Sequence, residues 1–132
     1  MPLRCVYICT TKSYAMNKLL IIEDDGDTLE MLGCLADSLN ITVVLKPEIP
    51  TIAEIQELAP DLILLDYWVF GKKGDSFCSA IKTNKLTNHI PIVMMSAVNK
   101  IGEIAMNCGA DGCISKPFDI DMLQDIFQAY LG

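Results

Sequence analysis

The sequence predicts an α/β domain in which a parallel sheet is covered by helices on both faces. Three observations carry this. Continuous apolar runs at 19–22 and 62–65 show no polar alternation, the pattern of strands buried on both sides. Each such run is followed by a stretch with helical spacing, so that strands and helices alternate along the chain. At 132 residues and 52% hydrophobic content, the chain is long enough for one domain with a proper core.

Taken in order, residues 1–16 read as an extension. They are mildly apolar over Cys5 to Cys9 and polar from Thr10 to Tyr14, with no sustained signal-peptide core. Either Met16 is the natural start, or residues 5–9 add a short strand or pack on the surface. The domain proper is expected over 17–132. Its first strand, 18–22, runs into Glu23, Asp24 and Asp25. A helix follows from about Asp27, with Thr28, Leu32, Leu35, Ala36 and Leu39 on its inner stripe, Met31 off it and Asn40 as the stop. A β-branched strand at 41–45 precedes Pro47 and Pro50, and a short helix at 52–58 ends before Pro60.

The run 62–65 ends abruptly in Asp66. A loop from Tyr67 to Gly74 is punctuated by Gly71 and Gly74. Asp75 is expected to cap a helix reaching about Lys82, with Phe77, Ala80 and Ile81 inward. After a polar connection at 83–89, which holds the surface residue His89, a strand at 90–95 ends at Ser96. A helix at 100–107 stops at Gly109. The last strand, 112–115, leads into Lys116 and Pro117, and a helix at 120–131, capped by Asp119, closes the chain. Met122, Leu123, Ile126, Phe127 and Tyr130 form its apolar face. Strict βα alternation implies right-handed crossovers.

Composition narrows the function. Ten Lys and Arg against 17 Asp and Glu leave a net charge of −7, which disfavours a nucleic-acid surface, since phosphate binding draws on clustered cations. Direct nucleic-acid contact is therefore not expected. No run approaches the ~20 apolar residues of a membrane span, and the cytoplasm is the expected location. The six cysteines include no CxxC pair and fall singly in apolar segments, as reduced and mostly buried thiols do.

The chemistry lies at the strand ends. Glu23 and Asp24, Asp66 and Ser96 each terminate a strand, and Lys116 follows another. In a parallel sheet these ends share one edge, where open α/β sheets place their ligands. Any one of these residues alone is a fair helix cap or loop residue; their conjunction points to chemistry. Three converging carboxylates repel one another unless a cation intervenes. Mg²⁺ suits such a set, because it takes carboxylate and phosphate oxygens while keeping several waters. Lys116 adds a mobile positive charge and Ser96 a hydroxyl. Together they form the equipment for phosphoryl transfer to a carboxylate.

The segments LLIIEDD, PDLILLD, IPIVMMSA and GADGCISKPF resemble the defining segments of the response-regulator receiver domain of two-component signalling, over nearly the whole chain from about Asn17. The resemblance implies a flavodoxin-like (βα)5 fold with strand order 2-1-3-4-5, similar to single-domain chemotaxis regulators. It implies Asp66 as the phosphoacceptor, and Glu23, Asp24, Asp66 and the backbone carbonyl of Trp68 as the Mg²⁺ site. Asp24 would bind the ion directly and Glu23 through water. Ser96 matches the switch hydroxyl, Lys116 the lysine that pairs with the phosphoryl group, and Pro117 is expected after a cis peptide bond.

Three positions depart from the family pattern. Cys113 stands where the switch aromatic is usual, Phe70 replaces a common proline, and Trp68 is large for its place and is expected to shield the phosphoryl group from water. The implied function is a stand-alone receiver that accepts phosphate from a histidine kinase or phosphotransfer protein and signals through a partner protein. It is expected to catalyse its own phosphotransfer and dephosphorylation rather than to turn over external substrates. An aspartate-based phosphatase is disfavoured, because Trp68 occupies the position of that class's second aspartate. The alternative is a degenerate receiver that binds partners without phosphate.

Overall fold

A computed structural model of the protein describes residues 17–131; the expectations for 1–16, Cys5 and Cys9 included, lie outside the described residues. The elements in chain order are β1 (Lys18–Ile22), α1 (Gly26–Ser38), β2 (Thr42–Lys46), α2 (Ile52–Leu58), β3 (Leu62–Asp66), β4 (Trp68–Val69), β5 (Lys72–Lys73), α3 (Gly74–Thr83), β6 (Ile92–Ser96), α4 (Ile101–Cys108), β7 (Gly112–Ser115) and α5 (Ile120–Leu131). β2, β1, β3, β6 and β7 form, in that order, one sheet of five strands, all paired in parallel. This is the expected doubly wound, flavodoxin-like architecture.

The uninterrupted apolar runs are explained by the two layers they serve. Alternate side chains of a strand point to opposite faces. Leu20, Ile22, Ile63, Leu65, Ile92 and Met94 pack toward α2, α3 and α4, meeting Ile55, Phe77, Ile81 and Ala105. Leu19, Ile21, Leu62, Leu64, Val93 and Met95 pack on the other face with Leu32 and Ala36 of α1 and Leu123 and Phe127 of α5. Leu62 to Leu65 are fully buried, so β3 carries no polar side chain until its last residue, Asp66, itself buried at the strand end.

Local signals set the ends of most helices. The Asp25 side chain accepts from the N–H of Thr28 to start α1, and α2 opens with a reciprocal Thr51–Glu54 capping box. Asp119 accepts from Met122 N–H at 2.7 Å, as expected for α5. α1 gives way at Asn40 and α4 at Gly109, both left-handed, the conformation these residue types tolerate best at helix ends.

Several expectations are corrected. The stretch expected as a plain loop contains the hairpin β4–β5. Asp75 does not cap α3: the helix starts at Gly74 after Lys73, and the Asp75 carboxylate accepts from Ser76 N–H instead. On α3 it is Cys78, not Ala80, that joins Phe77 and Ile81 inside, because 74, 77, 78 and 81 share one helical face. On α5 the buried row is Leu123, Phe127 and Leu131. Met122 and Tyr130 lie on the exposed rim, where the Tyr130 hydroxyl donates to Asp111 O at 3.2 Å. Leu39 is exposed as well, while Met31 is exposed as its position off the stripe predicts. Of the four described cysteines only Cys78 and Cys108 are buried; Cys34 and Cys113 are exposed. Among the described residues no helix is long and apolar enough to cross a membrane.

Candidate functional site

The chain enters the sheet at β1, adds β2 on one side and then β3 on the other. The crevice beyond the carboxyl ends of β1 and β3 is thus the topological switch point, where a doubly wound sheet leaves room for a ligand. Glu23 and Asp24 follow β1 into this crevice, and Asp66 ends β3. Their register is set by the ladder that pairs Ile22 with Leu65. Glu23 is 1% exposed and Asp66 6%, so two carboxylates stand nearly dry beside each other.

Lys116 resolves part of that conflict. It arrives from the end of β7, where its N–H donates to Ser96 O at 2.9 Å. Its Nζ then reaches Glu23 Oε1 at 2.7 Å and Asp66 Oδ1 at 3.3 Å. Burial would lower the Lys116 pKa, but the hydrogen bond to Glu23 and the charges of both carboxylates outweigh it, leaving the amine above its usual value. Asp66 goes the opposite way. Burial first, then the adjacent Glu23 carboxylate, push it up to about 7, with Lys116 only partly offsetting them.

A second cation would complete the neutralisation. Glu23, Asp24 and Asp66 each offer a carboxylate oxygen within 4.8 Å of the others, an all-oxygen set that fits a hard divalent ion such as Mg²⁺. Glu23 is otherwise engaged, Oε1 by Lys116 and Oε2 by Asp25 N–H at 3.3 Å. Asp24 Oδ1 and Asp66 Oδ2 have no donor among the described residues. Of the three, Glu23 is thus the carboxylate with both oxygens already engaged by the chain.

Ser96 ends β6 and is 4% exposed; its Oγ accepts from Val98 N–H at 3.1 Å. The turn out of β3 is held tightly. Tyr67 N–H donates to Met95 O, and Gly74 N–H to Tyr67 O at 2.6 Å. A Cβ on Gly74 would lie 2.8 Å from Asp66 O, so the close return of the chain past Asp66 requires glycine. The Lys116–Pro117 peptide bond is cis, as expected.

Trp68 lies in β4 with its side chain 43% exposed. Its ring meets Tyr67 edge-on at 5.5 Å and takes Lys73 Nζ over its face at 5.8 Å. Cys113 is exposed on β7, with Met94 as its neighbour across the ladder. One contact was not anticipated. The Phe70 N–H donates to Asp24 Oδ2 at 2.7 Å. The only hint in the sequence is Gly71 following Phe70, a turn signal without any indication of what the turn would touch.

The fold and the site together define a doubly wound α/β domain with an acidic, lysine-braced pocket at its switch point. The chain belongs to the response regulator receiver domain family, whose model matches residues 19–128. The DNA-binding response regulator MtrA of Mycobacterium tuberculosis (strain H37Rv) is 30% identical over 104 residues, 76% of this chain and 44% of MtrA. The phosphate regulon transcriptional regulatory protein PhoB of Escherichia coli K12 is also 30% identical, with 45% of its length covered. The chain thus spans about half the length of these relatives.

Among solved structures, a two-component response regulator from Clostridium difficile superposes with a TM-score of 0.75 at 28% identity, covering 87% of this chain and 95% of that one. The receiver domain of the sensor histidine kinase PA1611 of Pseudomonas aeruginosa, which has a magnesium ion coordinated in its active-site cleft, superposes at 0.78 and 24% identity. It covers 88% of this chain and 98% of its own.

Proposed function

We propose that this domain accepts a phosphoryl group on Asp66 in a Mg²⁺-dependent reaction. The observation that carries the reading is the joint placement of Asp66 with the acidic pair and Lys116 at one strand edge. Glu23, Asp24, Asp66 and the Trp68 carbonyl would hold the ion. When bound, it would supply charge neutralisation at the phosphoryl oxygens.

The residues of the chain do the rest. Asp66 presents a carboxylate oxygen as the nucleophile, the P–O bond to it forms, and the P–N bond of a phosphohistidine donor breaks. The electron pair of that bond leaves with the donor imidazole, which takes up a proton. Lys116 follows the developing charge on one phosphoryl oxygen, and the Ser96 hydroxyl donates to another. The acyl phosphate adds charge next to Ser96 and Lys116, which shifts the population of the α4, β7 and α5 surface.

The donor is a histidine kinase or phosphotransfer protein, and the reading makes the domain a phosphoacceptor that catalyses its own phosphorylation and dephosphorylation. Output is proposed to pass by protein–protein contact in the cytoplasm rather than by direct contact of this domain with nucleic acid, which its −7 charge disfavours. Binding of a DNA duplex by this domain in its phosphorylated form would overturn that part.

The decisive experiment is incubation with a small-molecule phosphodonor and Mg²⁺, read by intact mass. Wild type is expected to gain about 80 Da, one phosphoryl group, and Asp66→Asn nothing. No gain in wild type would favour the second reading, a phosphate-independent interaction module, for which the exposed Cys113 at the switch position is the supporting observation.

A further inference from the structure

The hairpin after β3 is built around an unusual turn. Val69 pairs with Lys72, so Phe70 and Gly71 alone make the connection. Both have positive φ, 50° and 75°. Positive φ at both central residues is the signature of the tight hairpin turn that favours Asn-Gly or Gly-Gly. Phenylalanine is poorly suited to its first position, since a bulky L-residue adopts positive φ only at a cost. Packing of the ring does not explain its placement, for the side chain is 61% exposed.

The main chain supplies an explanation. In this conformation the Phe70 N–H is aimed at Asp24 Oδ2, 2.7 Å away and 46 residues earlier in the chain. We propose that the Phe70–Gly71 turn is a positioning device for the Asp24 carboxylate. Its N–H holds one oxygen and leaves Oδ1, which has no donor among the described residues, to the cation. This rests on the reading of Asp24 as a metal ligand. Hydrogen bonds to a charged acceptor are among the stronger ones, and a ligating carboxylate depends on such partners for its orientation. Phe70 is thereby a positioning residue acting through its amide, with the ring free for other use.

The test uses the full chain and Mn²⁺, a hard ion that takes the same oxygen ligands as Mg²⁺, counted by loss of the free-ion electron paramagnetic resonance signal. Phe70→Gly keeps the N–H and adopts positive φ freely, so its affinity should stay within about twofold of wild type. Phe70→Pro lacks the N–H and has φ locked negative, and should bind on the order of 10- to 100-fold more weakly. Because proline also disrupts the hairpin, the selective variant is an ester in place of the Val69–Phe70 amide, introduced by suppression with the α-hydroxy acid of phenylalanine. It should show the same direction of loss with an unchanged circular dichroism spectrum.

Wild-type affinity in the folded ester variant would overturn the positioning role while leaving the metal site intact. Weak binding by Phe70→Gly would overturn it too, by assigning the effect to the ring. No Mn²⁺ uptake by wild type would overturn both this inference and the metal site on which it rests.

Discussion

At the β1–β3 corner each polar group is held by another: Lys116 bridges Glu23 and Asp66, Phe70 N–H grips Asp24, and Gly74 closes the turn against Asp66 O. At β7 only Ile114 is buried, and Cys113 presents a small exposed thiol. The corner between two inner strands is thus over-determined and the edge strand β7 lightly constrained. The difference teaches that the reaction corner and the surface that would report on it obey separate demands. Converging charges in a nearly dry pocket must be compensated within a few ångströms, whereas an edge strand open to water needs no such support.

The largest expected effect comes from removing the charge at the centre of that corner. The Asp66 pKa is raised from 3.8 to about 7, so the native state holds its proton more tightly than the unfolded chain. Its contribution to stability is full below pH 3.8 and is lost as the pH rises through about 7. Asp66→Asn should therefore match wild type near pH 4 and exceed it by about 4 kcal/mol at pH 8 without divalent ions. Denaturant unfolding at both pH values measures this, and Mg²⁺ should narrow the gap at pH 8 by stabilising wild type. Equal gaps at the two pH values would mean that the corner is not charge-strained.

Lys116→Ala should slow phosphate acceptance on the order of 100-fold, as removal of one aimed donor does elsewhere. Following the mass adduct over time tests this, and an unchanged rate would leave Lys116 with a purely structural part. Next comes Gly74→Ala, whose new Cβ must displace backbone. A loss of roughly 2 kcal/mol is expected by thermal or denaturant melts, and none would show the turn to be looser than its distances imply.

Trp68→Ala should speed loss of phosphate by about threefold, less than 1 kcal/mol, if the ring limits water access; a slower or equal rate would sink the shielding role. The smallest effect belongs to the other region. Cys113→Ser should change stability by less than about 0.5 kcal/mol, as exposed substitutions do, and leave the adduct yield intact. A lost adduct would draw β7 into the reaction corner and erase the contrast.

Much of this was legible in the residues. The apolar runs of β1, β3 and β6 announce strands sealed on both faces, because they are too short for a buried helix and each is bounded by polar or turn residues. The parallel order that follows brings Glu23, Asp24, Asp66, Ser96 and Lys116 to one edge. Helix faces were read less well. The inner row of α5 is Leu123, Phe127 and Leu131 rather than the broader face including Met122 and Tyr130. Apolar periodicity locates a stripe but not its width, which depends on how closely the sheet approaches. Asp75 has the chemistry of a cap, but the cap position falls two residues earlier, at Lys73, because the return past Asp66 sets the start of α3.

By itself, then, the sequence determined the layer architecture, the edge at which chemistry is possible and the residues available for it, since these follow from period and strand order. Only the tertiary structure decided how the charges are shared. That Lys116 takes Glu23 as well as Asp66, and that a main-chain N–H from Phe70 secures Asp24, depends on contacts between segments 93 and 46 residues apart. No local pattern encodes such distances; they arise when the helices and the hairpin pack on the finished sheet.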